Sequence, residues 1–276
     1  MMLRDEERPG AFASALTSLA GRHGEYFPCM CGRYTVTRNE RIVEELEAAL
    51  DLSAAHDPWW KPRYNVAPTQ PAPVVTLHDG VRTIELMRWG LVPHWAGQDG
   101  KRAPLMINAR LESVNAKQVF RDSLARKRCL VPADGFFEWV QAEQPARKAG
   151  KKAPPQPFYF HPRSHRLCAF AGLWARSHTD SGDEQHSFTI ITTRANDLVR
   201  PVHDRMPIVL DPSMYAAWLD PAVDGDRARA LLDRPITVDW TREPVSTWVN
   251  KVDHDDASCI TPDAPEASPA QGRLFD

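Results

Sequence analysis

Val74-Val75-Thr76-Leu77-His78-Asp79-Gly80-Val81-Arg82-Thr83-Ile84-Glu85-Leu86-Met87-Arg88 is the stretch that decides the fold class. Thr83-Ile84-Glu85-Leu86 alternates with the period of two that turns one face of a strand to a core. His78-Asp79-Gly80 is the turn-forming cluster that folds two such strands into a hairpin. Short strand candidates recur on the C-terminal side at residues 129–132, 136–140, 158–161, 167–174, 188–193 and 235–240, most of them bounded by Gly, Pro, Ser or Asp. Helices are sparser. Residues 38–50 place Val43, Leu46 and Leu50 on one stripe. Asp211-Pro212 supplies an N-cap and first-turn proline for residues 213–219, and residues 227–232 make a second short helix. Strands dominate without βαβ alternation. The expected fold is therefore α+β, a single compact domain with a curved, largely antiparallel, barrel-like sheet flanked by short helices.

The flanks of this body read differently. Residues 1–29 form an amino-terminal extension without sustained amphipathic period, expected to be absent from or removed in the mature protein. Residues 30–252 are the folded body. Residues 253–276, with Asp253, Asp255, Asp256, Asp263 and Glu266 among Pro, Ala and Ser, read as a disordered acidic tail. No run is long and apolar enough to span a bilayer. Five cysteines at 29, 31, 129, 168 and 259 match no disulfide framework, so the expected compartment is the cytoplasm, with reduced thiols. The net charge of −2 gives no global basic excess, so any nucleic-acid site must be a local patch. The basic loop at residues 141–157, with Arg147, Lys148, Lys151 and Lys152, reads as solvated or as a phosphate contact.

Three polar clusters sit among apolar strand residues, where uncompensated burial is costly. Ile107-Asn108-Ala109-Arg110-Leu111-Glu112, read as a strand, turns its amide, guanidinium and carboxylate to one face. Glu138, among the aromatics of Asp134-Gly135-Phe136-Phe137-Glu138-Trp139, has the setting of a general acid or of an exposed strand carboxylate. His203-Asp204-Arg205-Met206-Pro207 gathers an imidazole, a carboxylate and a guanidinium. None of these alone identifies a reaction.

Met30-Cys31-Gly32-Arg33-Tyr34 is more specific. If Met30 is the initiator, its removal leaves an N-terminal cysteine whose α-amine (pKa near 8) and thiol (near 8.5) are both reactive at neutral pH. This 1,2-aminothiol condenses with an aldehyde to an imine, and the thiol then closes a thiazolidine. A peptide bond to Met30 blocks that chemistry.

With Arg63-Tyr64-Asn65-Val66-Ala67-Pro68 and Trp89-Gly90-Leu91-Val92-Pro93, these clusters form six segments in order. The chain resembles the SRAP family, the SOS-response-associated peptidases or abasic-site processing proteins. The resemblance implies a protein of the DNA damage response that crosslinks through Cys31 to the ring-opened abasic-site aldehyde in single-stranded DNA, with lyase-type chemistry and no cofactor or metal. It implies that Asn108 positions the cysteine and sugar, Glu138 shuttles protons, and His203 assists ring opening and reversal. Arg33, Asn65, Arg110 and Arg205 would contact phosphate or sugar, while Pro68 and Trp95 support unstacked bases, Ala96 standing where some relatives carry a second aromatic. The implied partners are abasic single-stranded DNA and replication-fork proteins, for a monomer that is nucleoid-associated if bacterial. The competing readings are a thiol autopeptidase that removes its own leader, and a non-catalytic single-strand binder or a metal protein using Cys29 and Cys31, two thiols being too few for a closed site.

Overall fold

The computed structural model describes residues 31–50, 56–95, 105–140, 154–179, 181–234 and 239–263. The expected extension, Ala96, most of the basic loop and most of the proposed strand at 235–240 lie outside the described residues.

The hairpin forms as its sequence dictates. β4 (Pro71–His78) and β5 (Val81–Trp89) pair antiparallel from Pro71↔Arg88 to His78↔Val81. Asp79 and Gly80 both hold positive φ, 49° and 80°, as a two-residue loop matched to strand twist requires. β7 (Arg128–Ala133) pairs β4, β10 (Cys168–His178) pairs β7, and β11 (Glu184–Arg194) pairs β10, all antiparallel. β11 then meets β5 at Ser187↔Arg88 and Phe188↔Trp89 and closes a five-strand barrel. Strand directions cannot alternate around a ring of odd number, so one contact must be parallel. The β5–β11 seam is that contact.

Two short strands extend the pairing of β11, β6 (Asn108–Arg110) beyond β5 on one edge and β12 (Arg205–Pro207) beyond β10 on the other. β6 runs parallel to residues 190–192, and β12 runs antiparallel to residues 192–194. β2 (Ala49–Leu50) adds parallel to β5, and β13 (Val209–Leu210) adds antiparallel to β10. A second sheet, in the order β14 (Trp240–Pro244), β9 (Pro157–Pro162), β8 (Gly135–Trp139), β1 (Arg33–Val36), β3 (Arg63–Val66), is antiparallel throughout. Gly135 is required where β8 starts. A Cβ there would stand 2.4 Å from the Phe160 carbonyl oxygen and 2.7 Å from the Tyr159 ring.

Aromatic residues join the two layers. Tyr34 packs edge-on against Trp89 at 5.2 Å and Phe170 at 6.1 Å, while Phe136 stacks on Phe160 at 5.0 Å. Each such ring, removed from water, contributes roughly 2–3 kcal/mol. Phe137 alternates to the opposite face, into a smaller cluster with Tyr159, Val245, Val249 and Cys259. Glu138 follows the pleat back to the side of Phe136, facing the barrel.

The compact α+β fold and barrel-like sheet agree with expectation, and three details do not. The helix expected over 38–50 is α1 (Asn39–Glu45). It buries Ile42 and Leu46 while Val43 stays exposed, and Glu47 at φ 50° breaks it so that Leu50 can join the sheet. α2 (Gln118–Arg126) buries Phe120, Ser123 and Leu124 and packs on α4 (Gly225–Leu231). The expected helix at 213–219 begins as a 3₁₀ turn at Pro212–Met214, capped by Asp211, and continues as α3 (Tyr215–Leu219).

The third correction concerns the tail, which does not begin at residue 253. The Asp255 carboxylate accepts from the Tyr64 and Asn65 backbone amides at 2.6 and 2.9 Å and pairs with the buried Arg63 guanidinium. Cys259 is fully buried, and Val245 bridges to Pro262. Residues through Asp263 therefore form a strap across β3. Among the described residues no helix is long and apolar enough to cross a membrane.

Candidate functional site

Cys31 lies directly before β1 and is 3% exposed. The pairing of β1 with β8 brings it beside Glu138, and Asn108 on β6 approaches from the barrel. Asn108 Nδ2 donates to the Cys31 carbonyl at 3.3 Å, and the Cys31 thiol points at the Arg205 carbonyl, 3.9 Å from Sγ. His203 enters from the turn before β12. Its Nδ1 accepts the Arg205 amide at 3.0 Å and lies 4.0 Å from Glu138 Oε1. One mostly buried cluster, the Cys31 pocket, thus gathers Cys31, Asn108, Glu138 and His203 from four separate segments.

Electrostatics hold the pocket's acids in protonated form. Burial pushes the Glu138 carboxyl up to about 8, aided by the negative charge of Asp204, while hydrogen bonds from the Cys31 thiol and backbone N–H pull the other way. Burial also pushes the Cys31 thiol well up, Glu138 adds to that, and Arg205 opposes it. A protonated carboxyl beside a cysteine can pass a proton to a departing oxygen. Among the described residues, Asn108 Oδ1 and Glu138 Oε1 are buried without a hydrogen-bond partner.

The expected DNA contacts separate into two groups. Arg110 is exposed at the end of β6, and Trp95, 43% exposed, lines a cavity of about 140 Å³ with Pro93, Val119 and Lys127. Pro68 is half-buried in the turn before Thr69. The other three expected contacts are also engaged inside the fold. Asn65 is fully buried, and its Nδ2 reaches the carbonyls of Val249, Lys251 and His254. Arg33 donates to Asn65 Oδ1 at 2.9 Å and to the Val249 carbonyl at 3.0 Å, with its guanidinium 5.7 Å from the Trp139 ring centroid. Arg205 grips both Glu112 oxygens at 2.7 and 3.0 Å and also bonds the Thr192 carbonyl.

Glu112 was expected on a strand face with Asn108 and Arg110. It lies instead in the 3₁₀ turn Leu111–Ser113, where it reaches Arg205. Sequence reading missed Glu112 and Asp255 as organising residues. The alternation at 108, 110 and 112 signalled the first, while nothing local signalled the second.

A family model described as SOS response associated peptidase (SRAP) matches residues 30–252. The chain is 37% identical over 224 residues to the abasic site processing protein YoqW of Bacillus subtilis, covering 80% of this chain and 94% of that one. It is 34% identical to the abasic site processing protein HMCES of Gallus gallus, covering 84% and 78%. A crystal structure of a protein from Bacteroides thetaiotaomicron superposes with a TM-score of 0.73 at 22% identity, covering 84% of this chain and all of that one, which is a likeness of fold.

Proposed function

This chain belongs to the SOS response associated peptidase (SRAP) family, and we propose from that premise that it processes abasic sites in single-stranded DNA by covalent capture through Cys31. The observation that carries the reading is the meeting of Cys31, Asn108, Glu138 and His203 in one mostly buried cluster, where burial pushes the Glu138 carboxyl up so that it keeps its proton. With Cys31 at the amino terminus its backbone nitrogen is an α-amine. It attacks the aldehyde carbon of the ring-opened sugar to give a carbinolamine. Glu138 protonates the hydroxyl, which leaves as water, and an imine forms. The thiol then adds to the imine carbon and its proton passes to nitrogen, so aminothiol plus aldehyde give thiazolidine plus one water. Asn108 holds the Cys31 carbonyl and leaves Oδ1 for the sugar, and His203 beside Glu138 serves ring opening and reversal. The reaction needs no metal, and its place is the cytoplasm.

The peptidase reading is weaker. A cysteine protease lowers its thiol pKa, whereas burial here raises it.

Mixing the native protein with single-stranded DNA carrying one abasic site tests the proposal. A denaturation-resistant band is expected, absent with Cys31→Ala and absent when a tetrahydrofuran analogue without an aldehyde replaces the lesion. An undiminished band from Cys31→Ala overturns the nucleophile. Intact mass of the native protein gives a second test, since a mature chain that keeps residues 1–30 excludes the thiazolidine.

A further inference from the structure

The pocket wall continues outward as a three-strand ribbon, β6–β11–β12. Residues paired side by side in a sheet share a face, and along one strand every second residue shares it. Asn108 stands beside Ile190, Arg110 beside Thr192, and Arg194 beside Arg205. Arg205 confirms the face by bonding Thr192 Oγ1 at 3.3 Å. Asn108, Arg110, Arg194 and Arg205 therefore lie on one face, which begins at the Cys31 carbonyl.

Charge along this face is uneven. Glu112 is its acid, and Arg205 holds both of its oxygens. The Arg205 hydrogen bonds keep the Glu112 carboxyl below its ordinary range, and the nearby positive charge of Arg194 adds to this. Three guanidinium groups thus face one neutralised carboxylate. Arg110 and Arg194 are both exposed, so their charges face solvent. Arg194 lies four residues along β11 from the partner of Asn108, roughly 13 Å at strand rise. That reach suits backbone phosphates a short way from a nucleotide held at Cys31.

We propose that Arg194, with Arg110, clamps the phosphates of the DNA strand leaving the Cys31 pocket, so that the strand tracks along the β6–β11–β12 face. This deepens the reading of Cys31 as the abasic-site nucleophile and rests on it for direction, though the contact is non-covalent. The interaction is a phosphate contact without base readout, so it is read by salt rather than by sequence.

The test is the binding of an undamaged single-stranded oligonucleotide, followed by fluorescence anisotropy across a series of KCl concentrations. For single strands, removing one phosphate-binding cation makes the slope of log K against log salt shallower by about 0.7. Arg194→Ala should show that shallower slope with several-fold weaker binding at low salt, and Arg194→Lys should keep the wild-type slope. Arg200→Ala is the control, because Arg200 is exposed, already pairs with Asp197 and lies on no strand of the ribbon. An unchanged slope for Arg194→Ala, or an equal change for Arg200→Ala, overturns the clamp. These outcomes do not depend on crosslinking. A protein that binds through Arg194 yet forms no adduct refutes the proposed function alone, and one that forms adducts with an unaltered slope refutes the clamp alone.

Discussion

The strap over β3 and the Cys31 pocket both bury polar and charged groups, and they treat them in opposite ways. At the strap, Asp255 answers two backbone amides and Arg63, while Asn65 answers three carbonyls and Arg33. Such saturation makes a rigid scaffold. In the pocket, Asn108 Oδ1 and Glu138 Oε1 are buried with no hydrogen-bond partner among the described residues, and burial pushes the Glu138 carboxyl up to about 8. Polar burial left incomplete lowers stability and leaves groups free for a reacting molecule. On the proposed function, that difference separates residues that build the site from residues that act in it.

Glu138→Gln probes the pocket side and carries the largest expected effect. Adduct formation on abasic DNA should slow by about 10²- to 10⁴-fold, the usual worth of a positioned proton donor, measured by quenched time courses on denaturing gels. Stability should move the other way. In the unfolded chain Glu138 loses its proton near pH 4.5, whereas in the fold it keeps it to about 8, so wild-type stability drains away as pH rises through that window. The glutamine variant lacks this loss and should melt above wild type at pH 7 to 8, with no gain at pH 4. A variant that is both slower and less stable would place Glu138 with the scaffold.

Asp255→Ala probes the strap and should cost about 3 kcal/mol, because it leaves the buried Arg63 charge and two amides short of an acceptor. The melting temperature should fall by roughly 6–12 °C in calorimetry. Adduct yield per folded molecule at low temperature should remain near wild type, and a selective loss of chemistry at unchanged Tm would erase the distinction between the two regions.

The barrel seam supplies the smallest effect. Glu85 on β5 bonds His186 across the β5–β11 seam at 3.3 Å and His78 at 2.7 Å. Burial opposes ionisation of Glu85, but the hydrogen bonds from His186, Thr76 and His78 prevail and pull its pKa down to about 2. The hydrogen bond to Glu85 raises the His186 pKa against burial. A raised histidine pKa stabilises below the unfolded value near 6.5 and ceases to do so as pH climbs through the folded value. His186→Gln should therefore lower Tm by about 2 °C at pH 6 and by nothing at pH 9, the exposed side of the pair limiting its worth to under about 1 kcal/mol.

Legibility followed the range of the interactions. The β4–β5 hairpin was readable because Asp79-Gly80 and the alternation beside it act within a few residues. Cys31, Asn108, Glu138 and His203 were nameable because their segments match a family pattern in order, and the structure gathers the four into one pocket. α2 went unread although Phe120 and Leu124 carry a helical period. The bonds of Asn65 and Arg33 within the fold were not legible, because an amide and a guanidinium look alike whether they face phosphate or a backbone carbonyl. The acidic tail was misjudged for a related reason, since composition does not distinguish a carboxylate in water from one capping two amides.

By itself the sequence determined which chemistry is available: a methionine directly before a cysteine, one carboxyl among aromatics, and the strand period that makes a sheet. Tertiary structure decided how that chemistry is poised. Cys31 and Arg205 are 174 residues apart in the chain, and the ring closure at β5–β11, the saturation of Asn65 and the protonation of Glu138 likewise depend on distant segments. A pKa is set by desolvation and neighbouring charge, and those exist only once remote strands have packed together.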